Sequence, residues 1–393
     1  MHRRNAENTA VNAPAATKEM RLPGVDGLRG LACMMVFLYH LRWAAQPSTA
    51  EPLVLEAGAL NLEFLLRKFD IGVSIFFILS GLLLSLPFWR AILEKQPAPK
   101  LSRYLWRRAC RIVPAYYAVL VAVYLLQGGT YTFYGALDFL LHATFLHNFT
   151  DATYHSLHPD LWTIGIELQF YLLLPLIMVA AGFLVRKCGT FIGLLAFIAT
   201  CWLVDLAASA ALHAAEPFIP DRFLSATGSV IHGTVLSYLK HFAFGIVAAF
   251  AVLRGSFSRT TADALCLAAI AGTAAIITFG TEGCWHRTTA LGWPLSPMIL
   301  AVLAASLARS EACARVFSMK WIAATGTISY GIYLWHDLIL RAVFSGTLRG
   351  NYSGFPLLFI GGSVAMIVTL AIAILSWRFI ERDAIRTPYP LTR

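Results

Sequence analysis

The feature that most constrains this chain is a recurrence of apolar runs, each long enough to cross about 30 Å of hydrocarbon as a helix rising about 1.5 Å per residue. The runs continue from end to end, separated by short polar or basic breaks. Only 13% of the residues are charged and 58% are hydrophobic, too few polar groups to clothe a soluble protein of this size, so lipid is the fitting solvent. Inside a bilayer the backbone must satisfy its own hydrogen bonds, and the expected fold is all-α: a polytopic transmembrane helix bundle of about ten spans. The spans read 28–45, 71–89, 112–126, 161–184, 190–211, 237–253, 262–279, 291–307, 321–344 and 355–377. Residues 1–24 contain no apolar core with a small-residue cleavage site and are expected to form a disordered cytoplasmic tail; a membrane domain over 25–382 and a short cytoplasmic tail over 383–393 follow.

Basic flanks stay on the cytoplasmic side of a membrane. With the N-terminus inside, Arg90, Lys95, Lys100, Arg103, Arg107, Arg108 and Arg111 share one cytoplasmic loop, and Arg186, Lys187, Arg254, Arg259, Arg309, Arg315 and Lys320 fall in later ones. Arg378, Arg382, Arg386 and Arg393 lie at the C-terminal end. The opposite side keeps a scattering, including Arg42, Arg67, Lys68, Arg222, Arg287 and Arg349. Both termini are therefore expected in the cytoplasm, with an even number of spans. This asymmetry accounts for most of the net charge of +10, so no nucleic-acid partner is needed to explain it. The seven cysteines never form a C-x-x-C, and only Cys284 falls clearly in an outer loop, which argues against a disulfide, a zinc site or thiol chemistry.

Charge within a span costs about 2.5–3.5 kcal/mol at the helix centre, so each intramembrane polar group is a candidate for function. Arg29 and His40 are separated by a step that returns to within about 20° of the same helix face and climbs about 16 Å. They read either as a snorkelling arginine and a hydrogen-bonded core histidine, or as an anion anchor with a titratable base deeper in. In Arg107-Arg108-Ala-Cys-Arg111-Ile-Val-Pro114, the proline suits the first turn of a span, and Arg108 and Arg111 are placed to clamp phosphates; Arg103 and Arg107 read as topology signals. Glu167, one to two turns into the fourth span, needs a partner, with His40 and the arginines as candidates, and could orient a base or join two helices. Ser329, Tyr333 and His336 stand at i, i+4 and i+7, one polar stripe for interhelical bonding or for lining a substrate tunnel.

Five segments resemble the acyltransferase-3 family of bacterial membrane O-acyltransferases. They are Gly27-Leu-Arg29-Gly30 with His40 completing Arg-x10-His, Gly72-Val-Ser74-Ile-Phe-Phe-Ile-Leu-Ser80-Gly81, Arg107-Arg108-x-x-Arg111-Ile-x-Pro114, Trp162-Thr-Ile-Gly-Ile-Glu167-x-Gln169-Phe-Tyr171 and Ser329-Tyr330-Gly-Ile-Tyr333-Leu-Trp-His336. Ser74 and Leu168 stand where the family often carries acids, so neither is assigned a role. The resemblance implies an inner-membrane O-acyltransferase that takes an acyl group, acetyl in the first instance, from cytoplasmic acyl-CoA and passes it to a hydroxyl of a carbohydrate or glycoconjugate, without a metal. Arg29, Arg108 and Arg111 would meet the CoA phosphates, His40 would act as base with Glu167 beside it, and Ser329, Tyr333 and His336 would line the substrate path. Some family members add an extracytoplasmic hydrolase-like domain; here a second transfer step is expected to need another protein.

A proton-coupled secondary transporter is the alternative of a different class, since intramembrane His, Glu and Arg also build proton relays, but the two halves of the chain show no repeat. The spacing His155-x4-Asp160 matches a glycerolipid-type acyltransferase signature. With Pro159 inside it and an expected outer loop around it, it reads as coincidence. His142, His147, His155 and His158 read as polar loop residues, because no acid-rich ligand set accompanies them.

Overall fold

The computed structural model describes residues 22–45, 56–57, 60–126, 133–215, 233–255, 258–279, 294–345, 352, 354–387 and 389. Most of the expected N-terminal tail, together with Arg222, Cys284, Arg287 and Arg349, lies outside them. Among the described residues the regular structure is helical apart from one antiparallel pair of two-residue strands, Glu56–Ala57 and Leu60–Asn61. The helices are α1 Val25–Ala45, α2 Leu62–Arg67, α3 Ile71–Leu93, α4 Leu101–Leu126, α5 Phe133–Ala143, α6 Asp151–Tyr154, α7 Leu161–Cys188 and α8 Thr190–Ala215. Then come α9 Val235–Arg254, α10 Arg259–Phe279, α11 Leu295–Leu307, α12 Ala312–Phe317, α13 Lys320–Thr327, α14 Ser329–Phe344, α15 Gly354–Ser376 and, beyond a π-helical stretch Trp377–Glu381, α16 Arg382–Arg386.

Seven of these helical segments are long and apolar enough to cross a membrane: Glu63–Leu93, Leu101–Leu126, Leu161–Cys188, Thr190–Ala208, Val235–Arg254, Arg259–Phe279 and Gly354–Arg386. The chain is a multi-pass membrane helix bundle. α1 has the length, but Asp26, Arg29, His40 and Arg42 dilute its apolar character. Two expectations change. The third span begins at Leu101, well before residue 112, so Pro114 sits in mid-helix and not in a first turn. There it removes the N–H that would bond the Cys110 carbonyl. The expected span over 321–344 is two helices broken at Ile328, whose φ of −97° and ψ of 7° leave the helical range.

Lipid tails are as apolar as leucine, so helices in a bilayer associate through close packing more than through the hydrophobic effect. Small residues set the approach here. A Cβ at Gly81 of α3 would collide with the Phe242 carbonyl of α9, and one at Gly245 would collide with the Ile78 carbonyl. The same closeness joins α1 to α13, where a Cβ at Gly326 would meet the Asp26 carbonyl and one at Gly30 the Thr325 hydroxyl. Around the α3–α9 contact, Phe170 stacks on Phe242 at 3.8 Å between centroids, and the Trp89 indole donates to the Ile246 carbonyl at 2.8 Å. The interior thus consists of α1, α3, α9 and α14, while the outward faces of α7, α8 and α15 expose Leu176, Phe191 and Ile367 as a lipid-facing surface would.

Candidate active site

α1, α3, α4, α7 and α14 enclose one pocket, of about 780 Å³ including its open mouth. Its wall includes Arg29, Arg108, Arg111, Glu167, Ser329 and Tyr333, so six of the eight residues singled out from the sequence converge there from four helices. Arg103 and Arg107 are exposed and do not line it. The three guanidinium groups are half-buried and share the pocket with an apolar wall that includes Val73, Phe76 and Leu83. Cations beside an apolar wall suit a ligand with an anionic head and a neutral arm.

Glu167 is not the partner of His40. Its carboxylate accepts the Tyr171 hydroxyl at 2.8 Å and the Ser80 hydroxyl at 3.3 Å, tying α7 to α3 and adding a negative charge opposite the arginines. The far end of the pocket is barred by Tyr333, whose hydroxyl bonds the Thr163 hydroxyl at 2.7 Å and the Asp160 carbonyl at 3.1 Å. The α13–α14 break places this stripe: Ser329 caps back onto the Gly326 carbonyl at 2.9 Å, and the Cys33 thiol of α1 meets the Ser329 carbonyl at 3.3 Å.

Beyond the bar lie the other two singled-out residues, joined by one not expected. His40 Nε2 is 2.9 Å from Asp160 Oδ1, and His336 Nε2 is 3.2 Å from Asp160 Oδ2. The two rings also meet, His336 Nε2 to His40 Nδ1 at 3.2 Å. Backbone carbonyls can only accept, so the contacts of His40 Nδ1 with Val36 O at 2.9 Å and of His336 Nδ1 with Tyr333 O at 2.7 Å assign a proton to each Nδ1. In the neutral ring the lone-pair Nε2 of His40 then faces Asp160 Oδ1, so a proton taken up there is met at once by the carboxylate. Burial alone would raise the Asp160 carboxyl, but His40 and then His336 hold it well below the usual carboxylate range. Asp160 is therefore placed to balance a positive charge formed on His40.

Asp160 was legible only as the end of the His155-x4-Asp160 spacing, and that pairing is not what the fold uses. His155 is exposed, its Nδ1 on the Pro159 carbonyl at 3.0 Å, while Asp160 turns inward as the residue before α7. The reading of the neighbouring histidines as polar loop residues is also corrected, since His142, His147 and His158 are at most 1% exposed. His142 and His147 stack at 4.1 Å, and burial, reinforced by His142, pushes His147 down to about 3. Ligand-type atoms do converge in two overlapping sets, His40–Asp160–His336 and His158–Asp160–Asp337, each within 4.8 Å. In the first set His40 Nε2 already meets Asp160 Oδ1 at 2.9 Å, while Asp160 Oδ2, 3.2 Å from His336 Nε2, makes no hydrogen bond.

The family model described as an acyltransferase domain matches residues 22–378. The O-acetyltransferase OatA of Staphylococcus aureus (strain NCTC 8325 / PS 47) is 25% identical over 384 residues, covering 92% of this chain and 56% of its own length. The peptidoglycan O-acetyltransferase OatA of Listeria monocytogenes serovar 1/2a is 27% identical over 396 residues, covering 92% of this chain and 55% of its own. A putative O-acetyltransferase of Staphylococcus aureus (strain COL) is 25% identical over 393 residues, with 93% and 57% covered. The chain thus spans about half the length of these curated relatives, and no solved structure matches it. Since the match runs through every helix that builds the pocket and the His–Asp cluster, this chain belongs to the acyltransferase-3 family.

Proposed function

We propose that this protein is an integral membrane O-acyltransferase that moves an acyl group, most simply acetyl, from acyl-CoA at the cytoplasmic face to a hydroxyl of a carbohydrate or glycoconjugate. The observation that carries this reading is the order of groups along one path: three arginines at a pocket, Tyr333 across its far end, and the His40–Asp160–His336 cluster immediately behind. Arg29, Arg108 and Arg111 receive the CoA phosphates, with Arg forks suited to bidentate contact. The neutral pantetheine arm lies along Val73, Phe76 and Leu83, and the thioester reaches the Tyr333–Thr163 bar. Glu167 keeps the arginine end from accumulating unopposed charge and braces α7 on α3.

In the transfer step the acceptor oxygen attacks the thioester carbonyl. An O–C bond forms, the C–S bond breaks, and the acceptor proton passes to His40 and from it to the leaving CoA thiolate. Asp160 stabilises the imidazolium formed in between, the service a buried carboxylate gives a catalytic histidine. The basic loops assigned above to the inner side support an enzyme of the cytoplasmic (inner) membrane with both termini in the cytoplasm. The test is His40→Gln, which retains hydrogen-bonding capacity but cannot serve as base. Transfer of labelled acetyl from acetyl-CoA should be abolished while CoA still binds the inserted, monodisperse protein. Near wild-type transfer by this variant would reduce His40 to a structural residue and make His336 the base to test.

A further inference from the structure

On the side of Asp160 away from the arginine pocket lies a second polar group that the donor reading does not use. His158 is 1% exposed, and its Nδ1 accepts the Asp160 backbone N–H at 3.3 Å. An acceptor nitrogen carries no proton, so the proton sits on Nε2, and that atom is buried without a hydrogen-bond partner. A buried unpaired donor costs about 1–3 kcal/mol, which calls for an occupant. Asp337 stands opposite, 8% exposed, with one carboxylate oxygen fixed by Arg341 Nε at 2.7 Å. Arg341 is itself exposed, so Asp337 is bonded to a side chain that reaches the surface.

The spacing names the occupant. A ring nitrogen of His158 and one carboxylate oxygen from each of Asp160 and Asp337 lie within 4.8 Å of one another, yet among the described ion pairs none brings His158 within 4.0 Å of either carboxylate. One oxygen atom bonded to two groups at about 2.8 Å with a tetrahedral angle spans about 4.6 Å. A cation holding ligands at about 2.1 Å would draw them to about 3.4 Å apart. The gap therefore fits a hydroxyl better than a metal ion. A hydroxyl also matches the chemistry: with the free Nε2–H of His158 turned to the gap, its oxygen accepts from His158 and its hydrogen donates to a carboxylate.

We propose that His158 and Asp337 form the subsite for a hydroxyl of a neutral polyol or sugar acceptor, held against His40 through the shared carboxylate of Asp160. The inference rests on the acyltransferase reading above, and its test separates the two. Purified full-length protein in nanodiscs is given labelled acetyl-CoA and increasing chitotetraose, a soluble oligosaccharide, and the products are divided into acetyl ester and free acetate. This partition compares the sugar hydroxyl with water and does not depend on the overall rate. His158→Leu and Asp337→Asn should each lower the ester-to-acetate ratio at least tenfold with acetyl-CoA binding unchanged. His158→Gln, whose amide restores a donor, should recover part of the ratio. An unchanged ratio in the Leu and Asn variants would leave the gap as a structural water site, and a parallel loss of CoA affinity would make the pair a packing element; either overturns the subsite. Failure of the wild-type protein to form any ester would sink the acyltransferase reading and the subsite with it.

Discussion

Asp160→Asn is the substitution that most sharply tests the arrangement behind Tyr333. The amide keeps the size of the carboxylate and the backbone N–H that His158 accepts, so the fold around residues 158–161 is preserved. What it removes is the charge facing His40 Nε2 at 2.9 Å and His336 Nε2 at 3.2 Å, in a site where the Asp160 side chain is 4% exposed. A hydrogen bond to a charged group is worth about 1.5–3 kcal/mol, and the buried setting argues for the upper end. At about 1.4 kcal/mol per tenfold in rate, losing about 3 kcal/mol of imidazolium stabilisation lowers turnover roughly a hundredfold. The assay is acetyl transfer from acetyl-CoA at saturating donor, with CoA affinity measured by calorimetry on the same preparation. Affinity should not change, because Asp160 lies beyond the bar and outside the donor pocket. A folded variant that turns over within threefold of wild type would refute the pairing of Asp160 with the base.

Two further outcomes follow from the donor end and the topology. Arg108→Ala and Arg111→Ala should each weaken acyl-CoA binding about tenfold or more, with Lys retaining part of it because an ammonium lacks the bidentate fork; equal affinity across the series would return both residues to a topological role. Reporter fusions after Lys100 and after Arg386 should both read cytoplasmic, and an external signal at either point would overturn the orientation drawn from the basic loops.

The donor half of the site was legible because its residues break a rule. Arg29, Glu167, Ser329 and Tyr333, like His336 behind them, are polar inside runs that must face lipid or protein, and their helical spacing states which face they share. Asp160 and His158 break no such rule. They precede α7 in a connecting stretch where polar residues are ordinary, and only the fold turns them inward, Asp160 between two histidines and His158 beneath it. The misassigned partner of Glu167 has the same origin. The need of a buried carboxylate for a positive partner named His40 and the arginines as candidates; Arg29 and Arg111 do share its pocket, but the groups that hydrogen-bond it, Ser80 and Tyr171, were unremarkable polar residues in the same motifs. The break at Ile328 was hidden by composition, since 321–344 reads as one apolar run. The break sits beside a tertiary contact that composition does not display, the close approach of Gly326 to the Asp26 backbone of α1.

One helix carries the whole sequence of events, and this bears on why its residues form a block. Along α14, Ser329 and Tyr333 face the donor pocket, His336 meets Asp160, and Asp337 stands at the acceptor gap. The helix is pinned at its start by the Tyr330 hydroxyl on the Ile112 carbonyl of α4 at 2.9 Å, one residue beyond Arg111. A register slip of one residue would turn every one of these side chains by about 100° and withdraw all of them together. Donor anchoring on α4 and base placement on α14 are thereby coupled through a single rigid contact. A shift of α4 that loosened the arginines would also move the bar that separates thioester from base. Such coupling confines the reactive carbonyl to the place where His40 and the acceptor hydroxyl can both reach it, which is how a site made of a few side chains on separate helices gains the effective concentration that acyl transfer requires.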